Sequence, residues 1–523
     1  MTDRKLPVGI QSFEKVRESN NLYIDKTSFI YKLVHTDVPY FLSRPRRFGK
    51  SLLLSTFKAY WEGKKELFKG LEIERLEKDD PDAWQQYPVL YLDFNGDDYT
   101  ENTALEGILE YNISEWEKRY DISSDHNKSL ALRFKSVIRE AHSQTGKRCV
   151  ILVDEYDKPL LECVENIELV ERNKALFKGV FSNLKSEDAH IKFIFITGVT
   201  KFSKISIFSD LNQLEDISFD FDYSGICGIT EEELKQNLIP EIEVTAKERG
   251  MTTEDCITRL KAMYDGYRFS ADGEGVYNPY SLLSALKKRR FGSFWYETGT
   301  PTFLMHRLKE MEFDVRQFSE RTLQSTESLL SDYRGDNPDP IPLLYQTGYL
   351  TIKDSSDNDL FTLGFPNDEV RYAFLQSLMP EYVDECGPGT GKDIFVLKRY
   401  VEEGDTEGIH KVLLALFASI TYSANEAPFE HYFQTVIHIV FTLLGKYVTC
   451  ELHTSEGRID CVVETKKYVY VFEFKRDSDA DEALRQINDK HYADIYAADE
   501  RVLYKIGVGF DSNTRQIDSW KVE

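Results

Sequence analysis

The unbroken apolar run Cys149-Val150-Ile151-Leu152-Val153, followed at once by Asp154-Glu155, constrains the fold more than any other stretch. A strand with one wet face alternates apolar and polar residues, whereas a strand covered on both faces reads as a continuous apolar run, the habit of parallel sheets in α/β proteins. Open sheets of that kind bind ligands outside the carboxyl ends of their strands, which is where the two acids stand. A second such run, Ile191 to Ile196, ends in Thr197-Gly198-Val199-Thr200. A third, Pro39-Tyr40-Phe41-Leu42, leads through Ser43-Arg44-Pro45-Arg46-Arg47-Phe48-Gly49-Lys50-Ser51 into the helix-like stretch Leu52 to Trp61.

Strand, loop and helix in that order, with Gly49-Lys50-Ser51 at the helix start, has the form of a phosphate-binding loop. Backbone N–H groups and the helix N-terminus face the anion, Lys50 reaches the β- and γ-phosphates of ATP, and the Ser51 hydroxyl ligates Mg²⁺. The complete pattern, Gly-x-x-x-x-Gly-Lys-Ser, would put glycine where Arg44 stands. Gly-Lys-Ser alone is common, so its weight comes from the acidic strand: Asp154 would assist the Mg²⁺ and Glu155 would polarise the attacking water. Thr197 would sense the γ-phosphate if its strand lies between the other two. The bland alternative for Asp154-Glu155 is a solvated turn after a core strand.

A second constellation lies near the other end. Gly457-Arg458-Ile459-Asp460 opens a strand-like stretch to Glu464, Thr465-Lys466-Lys467 makes a short turn, and Val469 to Lys475 follows with Glu473-Phe474-Lys475 at its end. Side chains alternate along a strand, so Val469, Val471, Glu473 and Lys475 share one face and Tyr470, Phe472 and Phe474 the other. Paired as a hairpin, the two strands bring Asp460 and Glu473 toward one Mg²⁺. The aromatic face is expected to be buried, with the acid and the lysine emerging at the strand end. Lys475 would there orient the attacking water or neutralise charge on a phosphate. The alternative is an ordinary hairpin whose acid and lysine form an ion pair.

These residues resemble the core of the PD-(D/E)XK nuclease superfamily: Asp460, Glu473-Phe474-Lys475 and the following Gln486. The resemblance implies a helical acid ahead of the hairpin, for which Glu430 is the candidate metal ligand, and places Gln486 on the helix after the Lys475 strand as a further site residue. No proline precedes Asp460. The N-terminal part, roughly Leu6 to Asp222, is similar over its length to the bacterial AAA-ATPase-like family found fused to a C-terminal nuclease-like domain. Val8-Gly9-Ile10-Gln11-Ser12-Phe13, Leu22 to Thr27, Arg44-Pro45-Arg46-Arg47-Phe48-Gly49-Lys50-Ser51 and Val153 to Pro159 carry that likeness. In that family the loop with Arg at the place of Arg44 is the normal form, and Arg46 and Arg47 are candidates for phosphate contacts.

The expected architecture is α/β, in three parts. Residues 1–229 form an AAA-ATPase-like P-loop domain with a parallel sheet. Residues 230–392 form a helical or winged-helix-like lid or connecting region, and residues 393–523 an α/β restriction-endonuclease-like domain. At 523 residues the chain exceeds what one core serves. Thr230 and Glu233 have capping-box spacing, and Cys386-Gly387-Pro388-Gly389-Thr390-Gly391-Lys392 is the linker candidate. The basic cluster Lys287-Lys288-Arg289-Arg290 suits the end of a helix. The seven cysteines show no metal or disulfide spacing. No stretch approaches the ~18 apolar residues of a membrane span, and no signal peptide is evident, so no membrane partner and a cytoplasmic location are expected.

The net charge of −24 argues against broad, sequence-independent affinity for nucleic acid. The leading functional reading is an ATPase whose nucleotide state controls a Mg²⁺-dependent nuclease acting on DNA. Its alternative is a nucleotide-switched interaction module whose nuclease-like fold is a non-cleaving platform. Either reading admits a homo-oligomer.

Overall fold

The computed structural model describes residues 4–164, 166–201, 214–295, 308, 317, 323–331, 339–356, 360–382, 390–418, 436, 438–440, 447–454, 457–511, 514 and 516–523. Two compact units result, Met1–Thr298 with Arg321–Glu369, and Gly299–Glu320 with Val370–Glu523. Glu430 lies outside the described residues, as does most of the glycine-rich stretch; Thr390, Gly391 and Lys392 open the helix Thr390–Glu403.

The first unit is built on a five-stranded parallel sheet of β1 (Tyr40–Ser43), β2 (Val89–Asp93), β3 (Cys149–Asp154), β4 (Ile191–Gly198) and β5 (Glu215–Asp216), in the order β2-β3-β4-β1-β5. Every residue of β3 is buried, as its unbroken apolar run requires. The strand ending in Thr197 lies between the phosphate-loop strand and the acidic strand, so the three carboxyl ends stand side by side. The helix Lys50–Trp61 follows β1 and buries Leu53, Leu54, Phe57, Tyr60 and Trp61; Phe57 packs 5.3 Å from Phe193 and 4.8 Å from Phe195 of β4.

The middle of the chain is mainly helical. The Thr230–Glu233 capping box forms at the start of the helix Glu231–Asn237, and Lys26 pairs with Glu233. The basic cluster closes the helix Pro279–Lys288, with Arg289 as a left-handed C-cap and with Lys288 and Arg290 over the Phe294 ring. A small antiparallel sheet of β6 (Gln324–Thr326), β7 (Thr351–Ser356) and β8 (Leu360–Gly364), in the order β6-β8-β7, accompanies the helices. Its strands are too short for a two-residue period to be read from sequence.

The second unit carries a mixed sheet of β9 (Tyr447–Thr454), β10 (Gly457–Glu464), β11 (Tyr468–Arg476), β12 (Val502–Asp511) and β13 (Gln516–Val522), in the order β13-β12-β11-β10-β9. The expected hairpin is present: β10 and β11 are antiparallel with Cys461 opposite Phe472. The Thr465 hydroxyl accepts from the N–H groups of Lys467 and Tyr468 and so closes the turn. The helix Ala480–Asp489 makes the crossover from β11 to the parallel β12. Both faces of β11 are covered. Val469 and Val471 pack with Leu484 and Ile487 of that helix, while Phe472 and Phe474 meet Trp520 and Phe510. The sequence-based picture of an acid emerging at the strand end is therefore corrected, because Glu473 is only 1% exposed. The crossover helix lies over its face.

Candidate functional sites

At the carboxyl ends of β1 and β3 a cavity of about 400 Å³ is lined by the loop Arg46 to Ser51, by Glu155 and Asn95, by Val8 to Gln11, and by Ile226 to Ile229 with Tyr280. Gly49 sits at φ 98° as N-cap of the helix, a conformation glycine adopts without strain. Arg47 is left-handed too, at φ 68°, and its guanidinium stands 5.1 Å from the Tyr280 ring centre. The indole N–H of Trp295 donates to the Arg46 carbonyl at 3.0 Å, and Phe48 packs edge-on to Tyr267 and Phe269. These contacts hold the loop in a hooked shape with the helix N-terminus open to the cavity.

Arg44 explains the missing glycine. Its side chain is buried and donates to the carbonyls of Ser43, Ser218 and Tyr223, with the guanidinium 4.1 Å from the Phe269 ring centre. It braces the start of the loop from below, while Arg46 and Arg47 reach the cavity wall. Lys50 spans the loop, donating to the carbonyls of Arg44 and Pro45 at 3.0 and 3.2 Å.

Asp154, Glu155 and Thr197 do not share one environment. The Thr197 hydroxyl donates to Asp154 at 2.8 Å and both are buried, whereas the acids on the cavity wall are Glu155 and Glu162. Burial raises the Glu155 carboxyl, with Lys50 opposing that rise. Asp157, in the next turn, accepts from the N–H groups of Val199 and Thr200 and from the Thr200 hydroxyl, which anchors the end of β4 beside β3. Val8 to Gln11 and Tyr280 were not singled out as site residues from the sequence. They reach the cavity only through tertiary packing, and an apolar segment and a tyrosine give no local signal of that.

In the second unit Asp460, Glu473, Lys475 and Gln486 come together. An Asp460 carboxylate oxygen accepts from the Phe474 N–H at 2.9 Å. Glu473 Oε1 accepts from the Lys475 ammonium at 3.2 Å and from the Gln486 amide. Glu473 Oε2 is buried and has no hydrogen-bond partner among the described residues. Burial, and then the nearby Asp460 charge, hold the Glu473 carboxyl well above the usual carboxylate range. Gln486 reaches the acid because Gly507 lets the crossover helix lie directly on β12: a Cβ there would fall 2.2 Å from the Ala480 carbonyl oxygen. Tyr492, whose hydroxyl is 3.4 Å from the Gln486 amide, completes the wall from beyond the end of the helix Ala480–Asp489.

The sheet order, the hooked loop and the acidic strand define a P-loop ATPase-type domain, and the acid-rich hairpin with its crossover helix defines a nuclease-type domain. Comparison with known proteins agrees. Residues 7–208 match the family described as predicted AAA-ATPase, and residues 428–520 match the PD-(D/E)XK nuclease superfamily. The chain belongs to the AAA-ATPase-like family with a C-terminal PD-(D/E)XK nuclease superfamily domain. It is 37% identical over 100% of its length to a protein of Azotobacter chroococcum mcd 1, described as an uncharacterized protein in the vnfD 5′ region, and covers 99% of that protein. Among solved structures it is similar to Aeropyrum pernix ORC2 in its ADPNP and ADP complexes (12% identity, 68% of this chain and 90% of that one, TM-score 0.23). It is also similar to Cdc6p of Pyrobaculum aerophilum (10% identity, 66% and 88%, TM-score 0.22). No helix among the described residues is long and apolar enough to cross a membrane.

Proposed function

We propose that the chain binds and hydrolyses ATP in its first unit and cleaves DNA phosphodiesters with Mg²⁺ in its second, the nucleotide state controlling the cleavage. The observation that carries the nuclease reading is the orphaned Glu473 Oε2 beside Asp460, since a buried carboxylate oxygen without a donor is costly unless a cation takes the place of one. Two carboxylates at an oxygen-only site suit Mg²⁺, which keeps several waters and takes few protein ligands; it would supply charge neutralisation at the scissile phosphate and an acidified water. Lys475, bonded to Glu473 at 3.2 Å, would neutralise charge on that phosphate or orient the attacking water. Gln486 fixes the rotamer of Glu473, so the donor set needs little reorganisation. Glu430 is proposed as a further ligand on the family resemblance.

In the first unit Lys50 and the N-terminus of its helix would bind the phosphates, Ser51 would hold the nucleotide-bound Mg²⁺ with Asp154 behind the cavity wall acting on it through water, Arg46 and Arg47 would contact phosphate oxygens, and Glu155 would take a proton from the attacking water. Thr197 acts through Asp154, orienting its carboxylate. Tyr280 and the Val8 to Gln11 segment form the wall for the base and sugar. The chain works in the cytoplasm in this reading. The net charge of −24 favours one rival, a nucleotide-switched platform that does not cut.

Supercoiled and single-stranded DNA incubated with the protein and Mg²⁺, with and without ATP, separates the two. Cleavage that depends on ATP and disappears in Glu473→Gln supports the coupled nuclease. Absence of cutting by the wild-type protein under all these conditions, with ATP binding intact, leaves the platform.

A further inference from the structure

In the first unit, away from the nucleotide cavity, His35, Glu77 and Asp80 place one ligand atom each within 4.8 Å of the others. His35 is the C-cap of the helix Thr27–Val34 and Glu77 the C-cap of the helix Glu72–Leu76, so two helix C-termini, the ends that favour positive charge, converge there. His35 Nε2 lies 3.2 Å from Asp80 Oδ2 and 3.5 Å from Glu77 Oε2. A tetrahedral ion about 2.0–2.1 Å from each ligand holds the ligand atoms about 3.3–3.4 Å apart; the two His35 distances match that spacing, and the two carboxylates, within 4.8 Å of each other, would draw together around the ion.

Glu77 supplies the second, independent observation. Its side chain is fully buried, and Oε2, the oxygen aimed at His35, has no hydrogen-bond partner among the described residues. The remaining atoms are held as metal-site ligands usually are. His35 Nδ1 lies 2.8 Å from the Tyr31 carbonyl, which fixes an N–H at Nδ1, so that a metal would bind at Nε2 in exchange for the proton Nε2 shares with Asp80. Glu77 Oε1 accepts from the Tyr60 hydroxyl at 2.7 Å. Asp80 Oδ1 accepts from the Asp82 N–H at 2.8 Å, while Oδ2 meets His35 Nε2 at 3.2 Å in a hydrogen bond that a bound ion would replace.

We propose that His35, Glu77 and Asp80 bind a divalent first-row transition cation, zinc above all, with water completing the shell. An imidazole among the donors selects that class over Mg²⁺ or Ca²⁺, which take oxygen ligands. The role that follows is structural. Through Tyr60 the ion fastens the helix Thr27–Val34 and the turn at Glu77 to Lys50–Trp61, the helix whose N-terminus forms the phosphate loop.

The test is zinc uptake by metal-stripped full-length protein against a chromophoric chelator, with Co²⁺ substitution read in the visible spectrum. Wild type is expected to take up an equivalent that His35→Ala loses and that Asp80→Asn and Tyr60→Phe bind about 10–100-fold more weakly. Asp460→Asn, altered only in the nuclease site, should retain that equivalent. Asp80 is part-exposed, which keeps its variant informative should His35→Ala fold poorly. Equal zinc uptake by wild type and Asp80→Asn would overturn the proposal. So would wild type that takes up no zinc, which would identify the cluster as an imidazolium held between two carboxylates.

Discussion

Replacing Glu473 by glutamine should abolish the proposed cleavage and at the same time make the metal-free protein more stable. Glu473 is 1% exposed, one of its oxygens has no partner among the described residues, and Asp460 adds repulsion. Its carboxyl is raised from 4.5 to about 7. At about 1.4 kcal/mol per unit of difference between folded and unfolded values, ionised Glu473 costs the fold up to about 3 kcal/mol. The sign follows from proton linkage. Because the folded value is the higher one, the cost is fully present above about 7 and disappears as the pH falls toward the ordinary glutamate value. Glutamine carries no charge and can donate its amide toward Asp460. Glu473→Gln should therefore stabilise the second unit by about 1–3 kcal/mol at pH 8, a rise of roughly 2–12 °C in its unfolding midpoint for a unit of this size. That gain should shrink to about a quarter by pH 5 and to near zero by about pH 4. Thermal unfolding in chelator across that pH range measures it, and added Mg²⁺ should raise the wild-type midpoint more than that of the variant. A variant less stable than wild type at pH 8 without metal, or a gain that does not change with pH, would refute the reasoning.

Three further outcomes are expected. Lys50→Ala would remove the proposed charge-assisted contact to the β- and γ-phosphates, worth about 2–3 kcal/mol, so ATP affinity by calorimetry should fall roughly 30–160-fold. Glu155→Gln should keep ATP binding and lose hydrolysis by about 10²–10⁴-fold; because burial raises Glu155, wild-type turnover should decline with falling pH at a value above the ordinary glutamate range. Arg44→Gly, which restores the glycine of the usual loop, should weaken the first unit by about 3 kcal/mol or more through loss of three carbonyl contacts and the Phe269 stack. Denaturant unfolding checks that loss, and tighter ATP binding by Arg44→Gly would contradict the bracing role assigned to the arginine.

Much of both sites was legible because their chemistry is local. The Gly49-Lys50-Ser51 turn, the acids ending β3 and the Asp460–Glu473 hairpin are each defined within a few residues by strand period, turn length and side-chain type. The middle of the chain was far less legible, since β6 to β8 are short and pair across loops. Arg44 could be read as a departure from a loop pattern but not as a buried brace, because its carbonyl partners at Ser218 and Tyr223 are distant in sequence.

What the sequence determined by itself was the covered parallel strands, the phosphate loop at a helix start, and an acid pair joined by a tight turn, all consequences of periodicity and backbone geometry over short spans. Tertiary structure alone decided three things. Glu155 rather than Asp154 lines the cavity, Glu473 is sealed under the crossover helix, and His35 meets Glu77 and Asp80. Each depends on the packing of elements far apart in the chain, where burial and the loss of solvent set which polar atoms find partners and which are left to bind something else.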